Sequence, residues 1–110
     1  MRKKILEIQK IKNKRPLVCL TAYSKPFAKI LDKYCDLVLV GDSLATAMYG
    51  MNNTHLVSME MMIQHAISVT SNLKNAVCVV DMPANSYNNI KQAKKNANLI
   101  FKKTKCDAVK

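Results

Sequence analysis

"LVLVGDSLATAMYG", residues 37–50, is the stretch on which the fold turns. Leu37 to Val40 is unbroken apolar sequence, and the run stops on Gly41, Asp42 and Ser43. Short strands that are apolar throughout suit a parallel sheet, because the helices of its crossovers cover it. A carboxylate and a hydroxyl directly after such a strand fall where parallel β/α folds build their sites, at the strand carboxyl ends.

The same pattern continues on both sides. Residues 3–12 carry Ile5, Ile8 and Ile11 at helical spacing, which predicts a short amphipathic helix, and Pro16 bars its continuation. "LVCLTAY" (17–23) reads as a strand; Ser24 is the expected N-cap of a helix with Pro26 in its first turn and Phe27, Ile30, Leu31 and Tyr34 along one face. "DLVLVG" (36–41) is the second strand. A loop through Gly50 and Asn52-Asn53 then reaches Ser58, placed to cap a helix with Met59, Met62, Ile63, Ala66 and Thr70 as its buried stripe. "AVCVVD" (76–81), closed by Pro83, is the third strand. Ile90, Ala93, Ala97, Ile100 and Thr104 line a further helix, and "DAVK" (107–110) opens a fourth strand.

The expected order is therefore β-α-β-α-β-α-β behind a short N-terminal helix, an α/β chain with four parallel strands. Four such units amount to the N-terminal half of a (β/α)8 TIM-type barrel, whose usual size is about 250 residues. A flavodoxin-like sheet is the competitor, but it needs a fifth strand and a closing helix. A faint repeat favours the barrel: "YCDLVLV" (34–40) and "KCDAVK" (105–110) each set Cys-Asp before a strand that follows a helix. The expected division is one domain, with 1–15 as helix and linker and 16–110 as the β/α units, cut short in the fourth strand. A half-barrel leaves strand edges open, so these residues by themselves are expected to associate or pack poorly.

Composition narrows the class. The 110 residues are 49% hydrophobic, enough for the core of one domain. The net charge of +11 is concentrated at the ends: residues 1–15 set seven cationic side chains against Glu7, residues 90–110 set seven against Asp107, and the stretch between carries −1. Lys91, Lys94, Lys95 and Lys102 alternate with apolar positions as on a solvated helix face, without the interleaved aromatics of a nucleic-acid module. Cys19, Cys35, Cys78 and Cys106 are scattered and are expected to be buried, reduced thiols; neither His55 nor His65 has a partner at metal-ligand spacing. No apolar run approaches a membrane span and none resembles a signal peptide, so no membrane partner and a cytoplasmic location are expected.

Asp42 ends the second strand, Asp81 the third, and Lys110 lies on the fourth. Adjacent strands run roughly 4.8 Å apart, so the two carboxylates can converge on one hard cation such as Mg²⁺. With the Ser43 hydroxyl and the Lys110 ammonium beside it, such a site suits a small 2-oxo acid. Each residue also has a plainer role: Asp42 could cap a turn, Asp81 could initiate one ahead of Pro83, and Lys110 could point anywhere.

"LTAY" (20–23), "VGDSL" (40–44), "VDMP" (80–83) followed by Ser86-Tyr87, and "DAVK" (107–110) resemble, in order and spacing, the ketopantoate hydroxymethyltransferase family. The resemblance covers nearly the whole chain from about residue 5, and "VGDSL" with the "DMP…SY" segment is its more specific part. It implies a β/α barrel, assembled as a homo-decamer, that transfers a hydroxymethyl group from 5,10-methylenetetrahydrofolate to 3-methyl-2-oxobutanoate on the way to pantothenate and coenzyme A. It further implies Asp42 and Asp81 as Mg²⁺ ligands and Asp42, Ser43, Asp81 and Lys110 as contacts of the 2-oxo acid. The family's catalytic glutamate lies downstream of these residues, so no catalytic residue is assigned here.

The chain departs from the family pattern at several points. Ala45 and Ala84 replace Gly and Phe, Tyr34 and Lys105 replace glycines that usually end helices, and 52–59 lacks an expected proline. Two other readings remain beside the resemblance. One is a different Mg²⁺-dependent barrel acting on 2-oxo acids, of the phosphoenolpyruvate mutase and isocitrate lyase type, against which "VGDSL" argues. The other is a small basic α/β binding module without catalysis.

Overall fold

The computed structural model describes residues 3–110. The elements follow in the order α1 (Lys3–Lys10), β1 (Cys19–Thr21), α2 (Lys25–Leu31), β2 (Leu37–Val40), α3 (Leu44–Ala47), α4 (Met59–Thr70), β3 (Val77–Val80), α5 (Ile90–Thr104) and β4 (Ala108–Val109). All four strands are parallel and lie in sequence order, β1-β2-β3-β4, with Leu20, Val38 and Cys78 aligned across the first three. Sequential order without reversal is the barrel arrangement; a doubly wound sheet changes direction at a switch point.

One face of the sheet carries the core. Val38, Val40, Cys78 and Val80 are buried in one cluster with Ala28 of α2, Met62, Ala66 and Val69 of α4, and Ile100 of α5. Their alternating neighbours Leu37, Leu39 and Val79 turn to the opposite face and stay half-buried. The helices line one side, as in a barrel wall, and β1 is exposed along its whole length. Helix α1 instead reaches the amino-terminal side of the sheet, where Lys4 Nζ donates to the Ala76 carbonyl at 3.0 Å.

Ser58 caps α4 as its sequence predicts, accepting the Met61 N–H at 3.1 Å, and Asn89 does the same for α5 from Gln92. Ser24 occupies the N-cap position of α2 without a side-chain bond. Of the expected stripe of α2, Leu31 packs against the core, but Phe27, Ile30 and Tyr34 are 61%, 57% and 72% exposed, while Ala28 and Asp32 are buried, so the inward face is turned toward these two. The small Ala28 lets the helix approach the sheet, and Asp32 accepts the N–H groups of Lys74, Asn75 and Ala76 at 3.0, 2.8 and 2.9 Å. In α4, Met62 and Ala66 are buried with Val69, whereas Met59, Ile63 and Thr70 are half-buried; in α5, Ile90 is exposed and Ile100 and Thr104 are buried.

Cys35, Cys78 and Cys106 are buried, and burial pushes the Cys78 thiol up to about 12, which makes it unreactive. Cys19 departs from expectation and is exposed on β1. Of the two replaced glycines, Lys105 is left-handed at φ 59°, while Tyr34 is not among the residues of positive φ. Among the described residues, no helix is long and apolar enough to cross a membrane.

Candidate active site

The parallel ladder runs one residue past each strand and sets the carboxyl ends in register. Asp81 N donates to the Val40 carbonyl at 3.0 Å and Lys110 N to the Val80 carbonyl at 2.9 Å. Asp42, Asp81 and Lys110 consequently emerge on one end of the sheet from three neighbouring strands.

Their polar groups meet at the Asp81 carboxylate, which is only 5% exposed. Lys110 Nζ donates to Oδ1 at 2.6 Å, and the Asp42 backbone N–H donates to Oδ2 at 3.1 Å. The hydrogen bond that Lys110 donates to Asp81 raises the lysine's pKa above its ordinary value against partial desolvation, and the charges of Asp81, Asp42 and Tyr87 add to the rise. Lys110 is thus a fixed cation with donors to spare. Gly41 is there for space: a Cβ on it would lie 2.9 Å from Ser43 Oγ and 3.5 Å from Asp81 Oδ2.

Ser43 enters from the turn into α3, a four-residue helix that breaks the loop expected between Ser43 and Gly50. Its Oγ is 2.7 Å from the Tyr23 hydroxyl, which comes from the segment after β1. His65 of α4 lies 2.7 Å through Nδ1 from the Tyr23 carbonyl and 2.8 Å through Nε2 from the Tyr49 hydroxyl. The sequence places Tyr23 inside "LTAY" and shows His65 only as a histidine without a metal-ligand partner, and nothing in it points to Tyr49; no spacing signal joins positions 42 residues apart.

The donor set fits a magnesium-like ion. Two carboxylates at adjoining strand ends offer hard oxygens, and Mg²⁺ is commonly held by one or two carboxylates with waters completing its octahedron. Among the described residues no group of three or more His, Cys, Asp and Glu side chains is placed to hold a metal ion, so a magnesium-like ion here would rest on the two aspartates with waters completing its shell. A surface cleft of about 600 Å³ beside Ile30, Tyr34 and Asn72 contains a carboxylate, Asp32, already saturated by backbone donors, so it lacks comparable chemistry.

A partial β/α barrel with an acidic and cationic cluster at its strand carboxyl ends defines the class, a segment of a barrel enzyme. The family model of ketopantoate hydroxymethyltransferase matches residues 2–110, and the chain belongs to that family. It is 53% identical over 110 residues to a 3-methyl-2-oxobutanoate hydroxymethyltransferase of Pelagibacter ubique (strain HTCC1062), covering all of this chain and 43% of that protein. An Anaplasma marginale (strain St. Maries) protein of the same name is 49% identical over 106 residues, covering 96% of this chain and 38% of that protein. The chain thus spans about two fifths of the length of these relatives. The crystal structure of a phosphonopyruvate hydrolase complexed with oxalate and Mg⁺⁺ superposes with a TM-score of 0.78 at 13% identity, covering 99% of this chain and 38% of that one, and so shares its fold.

Proposed function

We propose that these residues form the metal- and substrate-holding part of an enzyme that moves a hydroxymethyl group from 5,10-methylenetetrahydrofolate to 3-methyl-2-oxobutanoate. With one water consumed, the products are 2-dehydropantoate and tetrahydrofolate. The observation that carries the reading is the meeting of groups from three consecutive strand ends at Asp81, with Lys110 Nζ at 2.6 Å and Asp42 N at 3.1 Å.

In this reading Asp42 and Asp81 hold Mg²⁺. When bound, the ion supplies Lewis acidity at the keto group, which makes the adjacent C–H acidic enough for a carboxylate base to remove. Lys110 uses one donor on Asp81 and turns the others to the substrate carboxylate, and Ser43 adds a hydroxyl donor from the β2 side. The base belongs to the remainder of the barrel, so the 110 residues alone are expected to give no turnover. The decameric assembly rests on the family resemblance.

That a solved structure of this fold was obtained with oxalate and Mg⁺⁺ supports metal use. It also keeps open a second reading, a different Mg²⁺-dependent 2-oxo acid enzyme. Titration calorimetry of the whole protein with 3-methyl-2-oxobutanoate, with and without Mg²⁺, tests the proposal. Heat of binding only with Mg²⁺, and its loss in D81N, is the expected result; tight binding of phosphonopyruvate and none of 3-methyl-2-oxobutanoate would move the assignment to the second reading.

A further inference from the structure

Tyr23 stands outside the residues assigned above, yet its two polar ends are both engaged at the site. The phenol oxygen lies 2.7 Å from Ser43 Oγ, and the backbone carbonyl lies 2.7 Å from His65 Nδ1. A carbonyl can only accept, so the bond fixes the proton on Nδ1. In the neutral imidazole Nε2 is then an acceptor, and the Tyr49 hydroxyl 2.8 Å away must donate to it. The Tyr49 and His65 rings meet edge to face at 5.7 Å, which holds the imidazole from its other side. Three separate segments, after β1, after α3 and within α4, are thereby tied to one another behind Ser43.

We infer that Tyr23 is a positioning residue for the 2-oxo acid, acting through Ser43, and that His65 holds Tyr23 in place. Ser43 owns one hydroxyl proton, and a substrate carboxylate can only accept it. That proton is free for the substrate when the Tyr23 O–H donates to Ser43 Oγ, which both orients the serine and polarises its O–H bond. A phenol donating to a hydroxyl that in turn donates to an anion forms a chain with a single direction. Without the Tyr23 hydroxyl, nothing orients Ser43, and its proton is free to turn to solvent. The inference rests on the proposed 2-oxo acid site.

A double-mutant cycle in the whole protein tests it, reading the affinity for 3-methyl-2-oxobutanoate in saturating Mg²⁺ by calorimetry. Y23F and S43A are each expected to weaken binding about tenfold, the scale of one hydrogen bond to a charged group. The pair together should also weaken it about tenfold, against the hundredfold of independent contributions. H65A, which leaves both hydroxyls in place, should weaken binding several-fold in the wild-type background and not at all in Y23F, and it carries the test should Y23F melt early. Wild-type affinity in Y23F, or fully additive losses, would overturn the positioning role while leaving the functional reading intact. Failure of the wild-type protein to bind the 2-oxo acid would overturn both.

Discussion

Asp36 and Asp107 perform the same task two β/α units apart: each receives the backbone N–H of a residue at the start of the preceding strand in the sheet. Asp36 Oδ2 accepts from Val18 N and Asp107 Oδ2 from Cys78 N, both at 2.9 Å, and each residue's own N–H donates back to the carbonyl of the same partner at 2.9 Å. The Cys-Asp repeat is thus a device for starting a parallel ladder: the buried cysteine anchors the turn, and the carboxylate satisfies a donor that the ladder leaves over.

Asp36 is further clasped by the Arg15 guanidinium at 2.7 and 2.8 Å, and this with the Val18 N–H lowers its carboxyl to about 2. The folded value lies below the ordinary aspartate value of 3.8, so the contribution to stability is complete above about pH 4 and is lost as the pH falls from 3.8 to 2. The pair is at the surface, where such contributions are small. Thermal melting should therefore show D36N a few degrees below wild type at pH 6 and level with it near pH 2. A difference that persists undiminished in acid would contradict this account.

Asp32 has a larger stake. Burial opposes its charge, yet the N–H groups of Ala76, Asn75 and Lys74 and the Asn75 amide outweigh that cost and hold its pKa below the ordinary value. Removing the carboxylate leaves the buried Ala76 N–H and the part-buried donors of Lys74 and Asn75 without their acceptor, at about 2–4 kcal/mol. Urea denaturation should show D32A destabilised by that amount and D32N by less.

Gly41 separates stability from binding. Its φ is not positive, so an alanine suits the backbone, and the chain loses unfolded-state entropy with it. The new methyl would nonetheless lie 2.9 Å from Ser43 Oγ and force the hydroxyl to move. G41A should melt at or slightly above the wild-type temperature and bind the 2-oxo acid about tenfold more weakly, the scale of one lost hydrogen bond to a charged group. Unchanged affinity would show that Ser43 does not contact the substrate.

The two replaced glycines make opposite predictions. Lys105 ends α5 in the left-handed region at φ 59°, so K105G should gain about 0.5–1 kcal/mol. Tyr34 needs no such conformation, so Y34G should lose about as much to backbone entropy. Chemical denaturation of the two variants reads the signs directly.

What was legible in the sequence was whatever repeats along it. The apolar runs ending on Asp42, Asp81 and Lys110 gave away the parallel sheet and the end of it that matters, because a strand's period and its terminus are local properties. The face of α2 was misread for a physical reason: Phe27, Ile30 and Tyr34 dominate any hydrophobic pattern, yet the close approach to the sheet is made by Ala28. Helix α3 has four residues and no period to detect. Tyr23 and His65 were invisible as partners because their contact joins segments that only the finished fold brings together.

The open edge of β1 yields the last prediction. Leu17, Val18 and Leu20 are 42%, 44% and 51% exposed, and β1 and β4 each pair on one side only. In a closed barrel such strands find further partners; in these residues alone they present unsatisfied donors and acceptors beside apolar side chains, which is the template for edge-to-edge association. Light scattering on the eluted 110-residue chain should therefore report dimers or larger species. A lysine at an exposed edge position obstructs such pairing, so L20K should shift the distribution toward monomer without altering the fold of β2 and β3. A wild-type chain that elutes as a single monomer and melts cooperatively would show that the half-barrel closes its own edges, and the association argument would be wrong.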